Sequence, residues 1–381
     1  MEYQPILRLS DDVVVEVEAL ARLADGTTLL KPVEFLSSLN PADRLELAIA
    51  VARRCVHDLQ YWTAKGLGEF NVGINVEPDV LAQPEFYAAL QQIMSSHGIA
   101  PERVTIEILE SNAFLSIEAA KAEFQRLRAL GVRISLDDLG TGYSSLARLK
   151  ELPVDQVKLD QSFVADLVRR PDDMAFVVAI QMLTRALQIQ LVVEGVEQPR
   201  VLEALRVLGV DSAQGYLLAT PMSARALEEW LNRRTRDRSR ASDRPVQSGD
   251  RDGTESMLPK GNQRSPSYGR PHSQQPETLF GAYVAHLLNR SLVSASPNTL
   301  TRRPDRDDPH AGHFGRFLDA HGLHQTELGE AHKEYHVMFG RGEINSAAFR
   351  SLNMRLSSLV SAALEAEDAI EAAATYGREH A

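Results

Sequence analysis

The sequence predicts an α/β domain, followed by a flexible linker and a smaller all-helical bundle. Over about the first 230 residues, apolar strand-like runs alternate with amphipathic helical patterns, which favours an α/β barrel or a doubly wound sheet. The composition then changes near residue 232 to a segment that is rich in Arg, Ser, Asp, Gly and Pro and has few apolar side chains to bury. Helical periodicity returns at about residue 277. We therefore expect three regions, at 1–231, 232–276 and 277–381.

Six strands and five helices are expected in the first region. The strand candidates are short apolar runs at 13–20, 70–76, 104–109, 132–138, 156–160 and 191–196. Helical patterns lie between them, at about 42–65, 84–97, 116–130, 174–188 and 198–208. Gly131 and Gly209 follow the third and fifth of these patterns, at positions where glycine commonly ends a helix.

Composition and charge exclude several classes of protein. The 381 residues include 41 Lys and Arg against 52 Asp and Glu, for a formal net charge of −11. That balance argues against a DNA or RNA partner, which would require a basic face. The single cysteine, Cys55, excludes an intramolecular disulfide. No apolar run approaches the ~20 residues of a membrane span, and the N-terminus lacks the features of a signal peptide, so we expect a cytoplasmic protein.

Ionisable or amide side chains lie at or near the carboxyl ends of the six predicted strands. They are Glu18, Asn75, Glu107, the adjacent Asp137 and Asp138, Lys158 and Glu194. In an α/β barrel this edge carries the active site, and such groups are rarely buried unless they are paired or bind metal. Their oxygens suit Mg²⁺ or Mn²⁺, and an adjacent Asp pair suits two ions, the arrangement used for phosphodiester hydrolysis. The alternative is a set of salt bridges at the barrel rim.

A glycine- and serine-rich loop follows the Asp pair, within DDLGTGYSSLARLK at 137–150. Its backbone donors could fold over a phosphate or respond to the occupancy of the metal sites. The position of the loop next to the carboxylate pair strengthens the prediction of a phosphate-handling site.

Eight motifs occur along the first region in a specific order. They are YQPI (3–6), EALARL (18–23), GINV (73–76), IEILES (106–111), DDLGTGYSSL (137–146), LPVDQVKLDQSF (152–163), VEGVE (193–197) and QGYLLATPM (214–222). In order and spacing this segment resembles the EAL-type cyclic di-GMP phosphodiesterases of bacterial signalling. The resemblance implies a TIM-like (β/α)8 barrel that hydrolyses cyclic di-GMP to linear pGpG with two Mg²⁺ or Mn²⁺ ions, and it implies a homodimer.

The resemblance also assigns roles to residues at matching motif positions. One metal ion would be held by Glu18, Asn75, Glu107 and Asp137, and the second by Asp137, Asp138 and Glu194. Lys158 would contact the attacking water, either as an ammonium that lowers its pKa or as a general base, and Gln214 would orient that water. Arg22 would contact a substrate phosphate, and Glu197 would steady the loop after the Asp pair.

Four positions depart from the usual motifs of that family. Leu139 replaces an aromatic residue, Leu109 replaces a threonine, and Val193 replaces an alanine. Asn40 lies in the segment 39–43, where relatives usually read AExxG. None of these changes removes a predicted ligand, so we expect them to affect rate, affinity or dimer coupling.

The third region contains histidines at a spacing that suits a metal site on helices. His332 and His336 lie four residues apart, which places both imidazoles on one helix face, and His286 and His313 are candidates for further zinc ligands. The order of a histidine, the F-G-x-F stretch at 314–317 and the pair of His332 and His336 resembles the chemoreceptor zinc-binding type of helical domain. That family normally has a cysteine two residues before the position of Phe314, and this chain has Gly312 there. His310 or His313 could replace the thiolate, or the fold could persist without metal.

Two other functions compete with the enzyme. The chain could be an inactive receptor that binds cyclic di-GMP and transmits its occupancy to the helical tail, or an interaction scaffold. The complete set of predicted ligands favours the enzyme, because a receptor has no chemical need for it. A scaffold would leave the converging carboxylates unexplained.

Overall fold

The computed structural model describes most of the first region and parts of the tail. Backbone is described at 1–25, 28–109, 117–139, 149–165, 167, 174–242, 282–283, 313–321, 323–340, 348, 351–356, 358–360 and 362–364. The glycine-rich loop after Asp138 and the predicted zinc ligand His286 lie outside these residues.

Eleven strands lie in the described part of the first region. They are β1 (Glu2–Arg8), β2 (Val14–Leu20), β3 (Leu23–Asp25), β4 (Thr28–Leu30), β5 (Asn71–Asn75), β6 (Val104–Leu109), β7 (Arg133–Leu139), β8 (Gln156–Leu159), β9 (Gln190–Val193), β10 (Ser212–Ala213) and β11 (Met222–Ser223).

Eight of these strands close into a barrel, and this confirms the predicted fold class. The order is β1-β2-β5-β6-β7-β8-β9-β10, and β10 pairs with β1 to complete the ring. β1 is antiparallel to both of its barrel neighbours, whereas the other barrel strands run parallel. Closure excludes the doubly wound sheet, and the parallel strands place their carboxyl ends on one face of the ring.

The structure has two barrel strands that the sequence patterns did not predict. β1 contains Pro5, which argues against a strand inside a sheet, yet it pairs with β2 along most of its length. β10 has only two residues, too few for any periodic pattern. All six predicted strands are present, and their bounds differ from the expected ones by at most three residues.

Ten α-helices with described bounds accompany the strands. They are α1 (Pro32–Phe35), α2 (Pro41–Ala64), α3 (Pro78–Leu81), α4 (Pro84–His97), α5 (Ile117–Leu130), α6 (Met174–Leu187), α7 (Pro199–Leu208), α8 (Ala224–Ser242), α9 (His313–Ala320) and α10 (Glu327–Gly340). None of the described helices is long and apolar enough to cross a membrane.

The helix ends follow from local sequence. The side chain of Asn40 accepts hydrogen bonds from the backbone N–H groups of Ala42 and Asp43, at 2.9 and 3.0 Å, so this departure from the family motif is the N-cap of α2. Gly209 follows α7 with a left-handed φ of 66°, and Gly131 follows α5 with a φ of 83°, as predicted.

The boundary expected at 231/232 lies inside a helix. α8 continues to Ser242, so residues 232–242 of the predicted linker are helical. Their Arg-rich sequence is compatible with a helix because Arg has a high helix propensity. Residues 243–276 lie outside the described part of the chain.

Candidate metal centre

The centre of the barrel contains a buried lysine surrounded by carboxylates. The Nζ of Lys158, on β8, lies 2.7 Å from Glu194 Oε1, 3.1 Å from both Glu18 Oε2 and Glu107 Oε2, and 3.6 Å from Asp137 Oδ1. Its side chain is fully buried. The sequence prediction that these polar strand residues converge is therefore correct for these five positions.

The carboxylates form two sets that share one residue. Glu18, Glu107 and Asp137 each offer an oxygen, and these oxygens lie within 4.8 Å of one another. Asp137, Asp138 and Glu194 form a second set with the same property. Each set has the dimensions of a group that could surround one cation, and Asp137 could bridge two.

Asp137 and Asp138 reach one site because the strand is irregular there. Adjacent residues of a regular strand point to opposite faces. The register between β7 and β8 shifts between Leu136 and Leu139, and Asp138 has a left-handed φ of 58°. The backbone N–H of Asp138 also donates to Asp137 Oδ1 at 2.9 Å. An uncommon backbone conformation of a residue other than glycine is typical of a functional site.

Amide side chains hold Glu18 from both sides. Asn75 Nδ2 donates to Glu18 Oε1 at 2.9 Å, and Gln214 Nε2 donates to Glu18 Oε2 at 2.7 Å. Gln214 Nε2 also donates to Gln4 Oε1 at 3.0 Å. The registers of β1, β2 and β5 bring these groups together, because Glu18 pairs with Gln4 on one side and with Gly73 on the other.

Glu107 is the most deeply placed of the carboxylates. Its Oε1 is buried and has no hydrogen-bond partner among the described residues, whereas its Oε2 accepts from Lys158. A buried carboxylate oxygen without a donor is costly unless a further positive group binds there. The side chain fits because its neighbour on β5 is Gly73, which leaves the space that Oε1 fills.

Burial raises the proton affinity of several of these carboxyl groups. Burial raises the pKa of Glu107 well above its ordinary value, and it raises that of Asp137 as well. Burial, assisted by Asp137 and Asp160, raises the pKa of Asp138 to about 6, and burial raises that of Glu194 to about 8. Burial alone would lower the pKa of Lys158, but the surrounding carboxylates raise it well above the ordinary value.

These residues fit a pair of divalent cations. If all five carboxylates were ionised, Lys158 would leave four uncompensated negative charges, which two divalent cations would balance. The unpartnered Oε1 of Glu107 is a further position for a cation. Oxygen donors without histidine or cysteine favour a hard cation such as Mg²⁺ or Mn²⁺.

The other predicted site residues lie around the same face. Glu197 lines a cleft of about 330 Å³ with Glu18, Asp137, Asp138, Glu194 and Gln214. Arg22, just beyond β2, instead forms an ion pair of 2.9 Å with Glu2, and its Nη1 donates to the carbonyl of Ala21. The predicted contact between Glu197 and the glycine-rich loop falls on residues outside the described part of the chain.

Six described residues of this cleft were absent from the sequence-based site, among them three polar side chains on barrel strands or beyond their ends. Gln4 lies on the unpredicted strand β1, and Asp160 and Tyr216 line the cleft beyond the ends of β8 and β10. Asp160 could have been found, because it immediately follows Lys158-Leu159 in the apolar run of β8. Gln4 and Tyr216 lie in two of the quoted motifs, YQPI and QGYLLATPM, but no role was assigned to them there.

The histidine pair of the tail is close enough to share one ion. His332 is buried on α10, and its Nε2 lies 3.2 Å from the Nε2 of His336. Phe314, on α9, packs its ring against His332 with centroids 4.8 Å apart. His313 begins α9, but its side chain, like the whole of His286, lies outside the described part of the structure.

Comparison with known proteins defines the class. Residues 1–221 match the EAL domain family, and the chain belongs to that family. Cyclic di-GMP phosphodiesterase NbdA of Pseudomonas aeruginosa is 35% identical over 233 residues, which is 61% of this chain and 30% of that protein. Cyclic di-GMP phosphodiesterase PdeR of Escherichia coli is 33% identical over 238 residues, 61% of this chain and 35% of that protein. The chain thus spans about a third of the length of these relatives.

Solved structures share the barrel. The MucR phosphodiesterase in complex with c-di-GMP superposes with a TM-score of 0.56 at 33% identity, over 59% of this chain and 92% of that one. The EAL domain of Mycobacterium smegmatis DcpA gives a TM-score of 0.52 at 32% identity, over 61% of this chain and 95% of that one. The resemblance inferred from the motifs is therefore confirmed for the barrel.

Proposed function

We propose that the chain hydrolyses cyclic di-GMP to linear pGpG in a reaction assisted by two divalent cations. The observation that carries the proposal is the pair of carboxylate sets that share Asp137 around the buried Lys158. Membership of the EAL family and the phosphodiesterase names of relatives support the choice of substrate.

Each set of oxygens would hold one ion. Glu18, Asn75, Glu107 and Asp137 would hold the first, and Asp137, Asp138 and Glu194 the second. When bound, two such ions supply an activated water and stabilise charge on the attacking and leaving oxygens. Asn75 binds Glu18 through its Nδ2, so its carbonyl oxygen is the atom that remains for an ion.

The charge state of Lys158 favours one of the two roles considered for it. In the metal-free protein the surrounding carboxylates raise the pKa of Lys158, which favours the protonated Nζ, and bound cations would compensate part of that negative charge. An ammonium can stabilise a developing negative charge or the deprotonated form of a nearby water, but it cannot accept a proton. The electrostatic role is therefore the one that the protonated Lys158 can fill.

Gln214 and Arg22 would position the reactants. Gln214 lines the cleft beside Glu18 and holds a carboxylate oxygen with its Nε2, so its Oε1 is the group that could orient a water. Arg22 carries a guanidinium that suits bidentate binding of a phosphate, and that contact would replace its ion pair with Glu2. Glu197 would steady the loop after Asp138 from its place in the cleft.

Product analysis tests the proposal directly. Purified full-length protein is incubated with cyclic di-GMP and Mg²⁺ or Mn²⁺, beside Glu18→Ala and, as a matched control, Glu151→Ala, which removes an exposed carboxylate. We expect pGpG from the wild type and the control but not from Glu18→Ala. Nucleotide that is bound yet stays intact with either metal would overturn the enzyme and establish the receptor.

The helical tail would regulate the barrel, with zinc as the signal. His332 and His336 would supply two ligands, since two nitrogens bound to one tetrahedral zinc lie about 3.3 Å apart and their Nε2 atoms are separated by 3.2 Å. His286 and His313 would complete the site.

We also infer a homodimer in the cytoplasm. Light scattering on the purified chain tests the dimer, and a monomer at all concentrations would exclude it.

A further inference from the structure

The barrel has a second cleft, on the face opposite the metal centre. It has a volume of about 530 Å³ and is lined by residues at the amino ends of β5, β7, β8 and β9 and at the carboxyl end of the antiparallel β1. We call it the N-terminal cleft. Four arginines from four different elements line it, namely Arg8, Arg133, Arg185 and Arg206.

Two of these arginines form an ion pair with a carboxylate in the described part of the chain, and two do not. Arg8 pairs with Asp11 at 3.3 Å, and Arg206 pairs with Asp12 at 2.7 Å. Among the described residues, Arg133 and Arg185 form no ion pair with a carboxylate. Arg133 Nη2 donates to Gln190 Oε1 at 2.6 Å, and Arg185 Nη2 donates to the carbonyl of Gly209.

Arg185 stabilises the end of a helix, whereas Arg133 does not. Arg185 lies in the last turn of α6, where a cation interacts favourably with the carbonyl end of the helix. Arg133 begins β7 and has no such helix end to stabilise. Its Nε is buried without an acceptor among the described residues, so the fold holds this guanidinium with only part of its hydrogen-bonding capacity used.

Carboxylates in the same lining limit where an anion can bind. Glu16 lies in the barrel interior with both oxygens engaged, by Thr105 at 2.5 Å and by Gln156 at 3.1 Å. Asp211 accepts the backbone N–H of Leu191 at 3.1 Å, and Glu69 is exposed at the rim. These groups repel an anion, and the charge of Arg133 also acts on Glu16, so an anion in the cleft would bind to the guanidinium groups of Arg133 and Arg185 on the side away from the carboxylates.

We propose that the N-terminal cleft binds a small phosphate-bearing anion through Arg133 and Arg185. A guanidinium presents parallel N–H donors that match phosphate oxygens, and charge-assisted bonds of this kind are stronger than those to the neutral oxygens that now accept from these residues. The site is separate from the metal centre and does not depend on the proposed hydrolysis.

Calorimetric titration of the full chain with pyrophosphate tests the site. EDTA is present throughout, so that no divalent cation at the metal centre can bind the probe. We expect saturable binding that weakens roughly 10-fold in Arg133→Gln and in Arg185→Gln, the loss of one charge-assisted bond to an ion. Arg206→Gln is the matched control, because Arg206 lines the same cleft but already has Asp12, and it is expected to bind within about twofold of the wild type.

Two results would overturn the site: no saturable binding to the wild type, or equal binding by the double variant Arg133→Gln/Arg185→Gln. Thermal unfolding of each variant without pyrophosphate shows whether the fold is intact. Arg185 is exposed, so its substitution keeps the test valid if Arg133→Gln does not fold. Hydrolysis of cyclic di-GMP is measured separately, and its failure would leave this result unchanged.

Discussion

The Glu107 carboxylate fills the space that a Cβ on Gly73 would need. Gly73 lies on β5 beside Glu107 on β6, and an added methyl group would overlap Glu107 Oε1 and lie close to its Cδ. The φ of Gly73 is not in the left-handed region, so the glycine is required for space rather than for backbone conformation. A residue without a side chain thus determines where a predicted metal ligand lies.

Substitution of Gly73 by alanine should impair the metal centre. The methyl group would displace Glu107, and loss of correct ligand support typically costs about 10–100-fold in metal affinity. Calorimetric titration with Mn²⁺ measures the change. Gly98→Ala is the control, because it adds a methyl group in open space at a left-handed residue and should lower stability without changing affinity for the ion. Unchanged Mn²⁺ affinity in Gly73→Ala would contradict the role of Glu107.

The sequence predicted the site better than the complete barrel. The polar ends of apolar strands are visible in the chain, and a barrel brings the ends of parallel strands together, so Glu18, Glu107, Asp137, Lys158 and Glu194 could be found. The antiparallel β1 contains a proline and β10 has two residues, so neither has a periodic signal. Gln4 was missed for that reason.

The finer geometry of the site depends on backbone detail that residue types do not specify. An adjacent Asp pair predicts two ligands only if a bulge turns both toward the same face, and the left-handed conformation of Asp138 achieves this. The ion pair of Arg22 with Glu2 likewise depends on the pairing of β1 with β2. Neither feature could be inferred from spacing alone.

Replacement of Lys158 by methionine should separate catalysis from metal binding. Without the ammonium, no positive charge of the protein competes with a divalent cation for the carboxylates, so Mn²⁺ should still bind, whereas turnover should fall roughly 10²–10⁴-fold if the ammonium acts on the reacting groups. Initial rates and Mn²⁺ titration measure the two effects. Lys121→Met, which removes an exposed lysine, is the control. If Lys158→Met no longer binds Mn²⁺ but unfolds at the same temperature as the wild type, Lys158 only positions the carboxylates that bind the ion.

Stability of the metal-free protein should fall as pH rises, because of Glu194. Its pKa is about 8 when folded, so between about pH 4.5 and 8 the folded state holds a proton that the unfolded state has lost. The contribution of Glu194 to the free energy of unfolding is fully present below about pH 4.5. Between about pH 4.5 and 8 it decreases by about 1.4 kcal/mol per pH unit. In EDTA, Glu194→Gln should therefore unfold at a higher temperature than the wild type at pH 8.5 and at a similar temperature at pH 5.

Mn²⁺ should reverse the order of the two unfolding temperatures at pH 8.5, because the carboxylate of Glu194 binds the ion better than an amide does. Thermal unfolding from pH 5 to 9 with EDTA and with Mn²⁺ measures both effects, and Glu151→Gln serves as an exposed control. If Glu194→Gln and the wild type kept the same difference at every pH in EDTA, the raised pKa of Glu194 would be wrong.

Removal of Arg22 should weaken substrate binding more than it slows turnover. A charge-assisted bond to a phosphate contributes about 1.5–3 kcal/mol, so Arg22→Ala should raise KM about 10–100-fold with a smaller change in kcat. Glu2→Gln is the informative partner variant, because it releases Arg22 from its 2.9 Å ion pair without removing the guanidinium. Steady-state kinetics decide the point: an unchanged KM in Arg22→Ala would exclude a phosphate contact.

The tail should bind one zinc ion through His332 and His336. On one turn of α10 their Nε2 atoms are 3.2 Å apart, close to the separation in a tetrahedral site, and the T-shaped packing of Phe314 on His332 restrains that imidazole. We expect one equivalent of Zn²⁺ per chain, measured by atomic absorption after dialysis of the full-length protein. His332→Ala and His336→Ala should each lose it, while His97→Ala, in the barrel helix α4, should keep it. Zinc retained by both tail variants would show that the ion binds elsewhere in the chain.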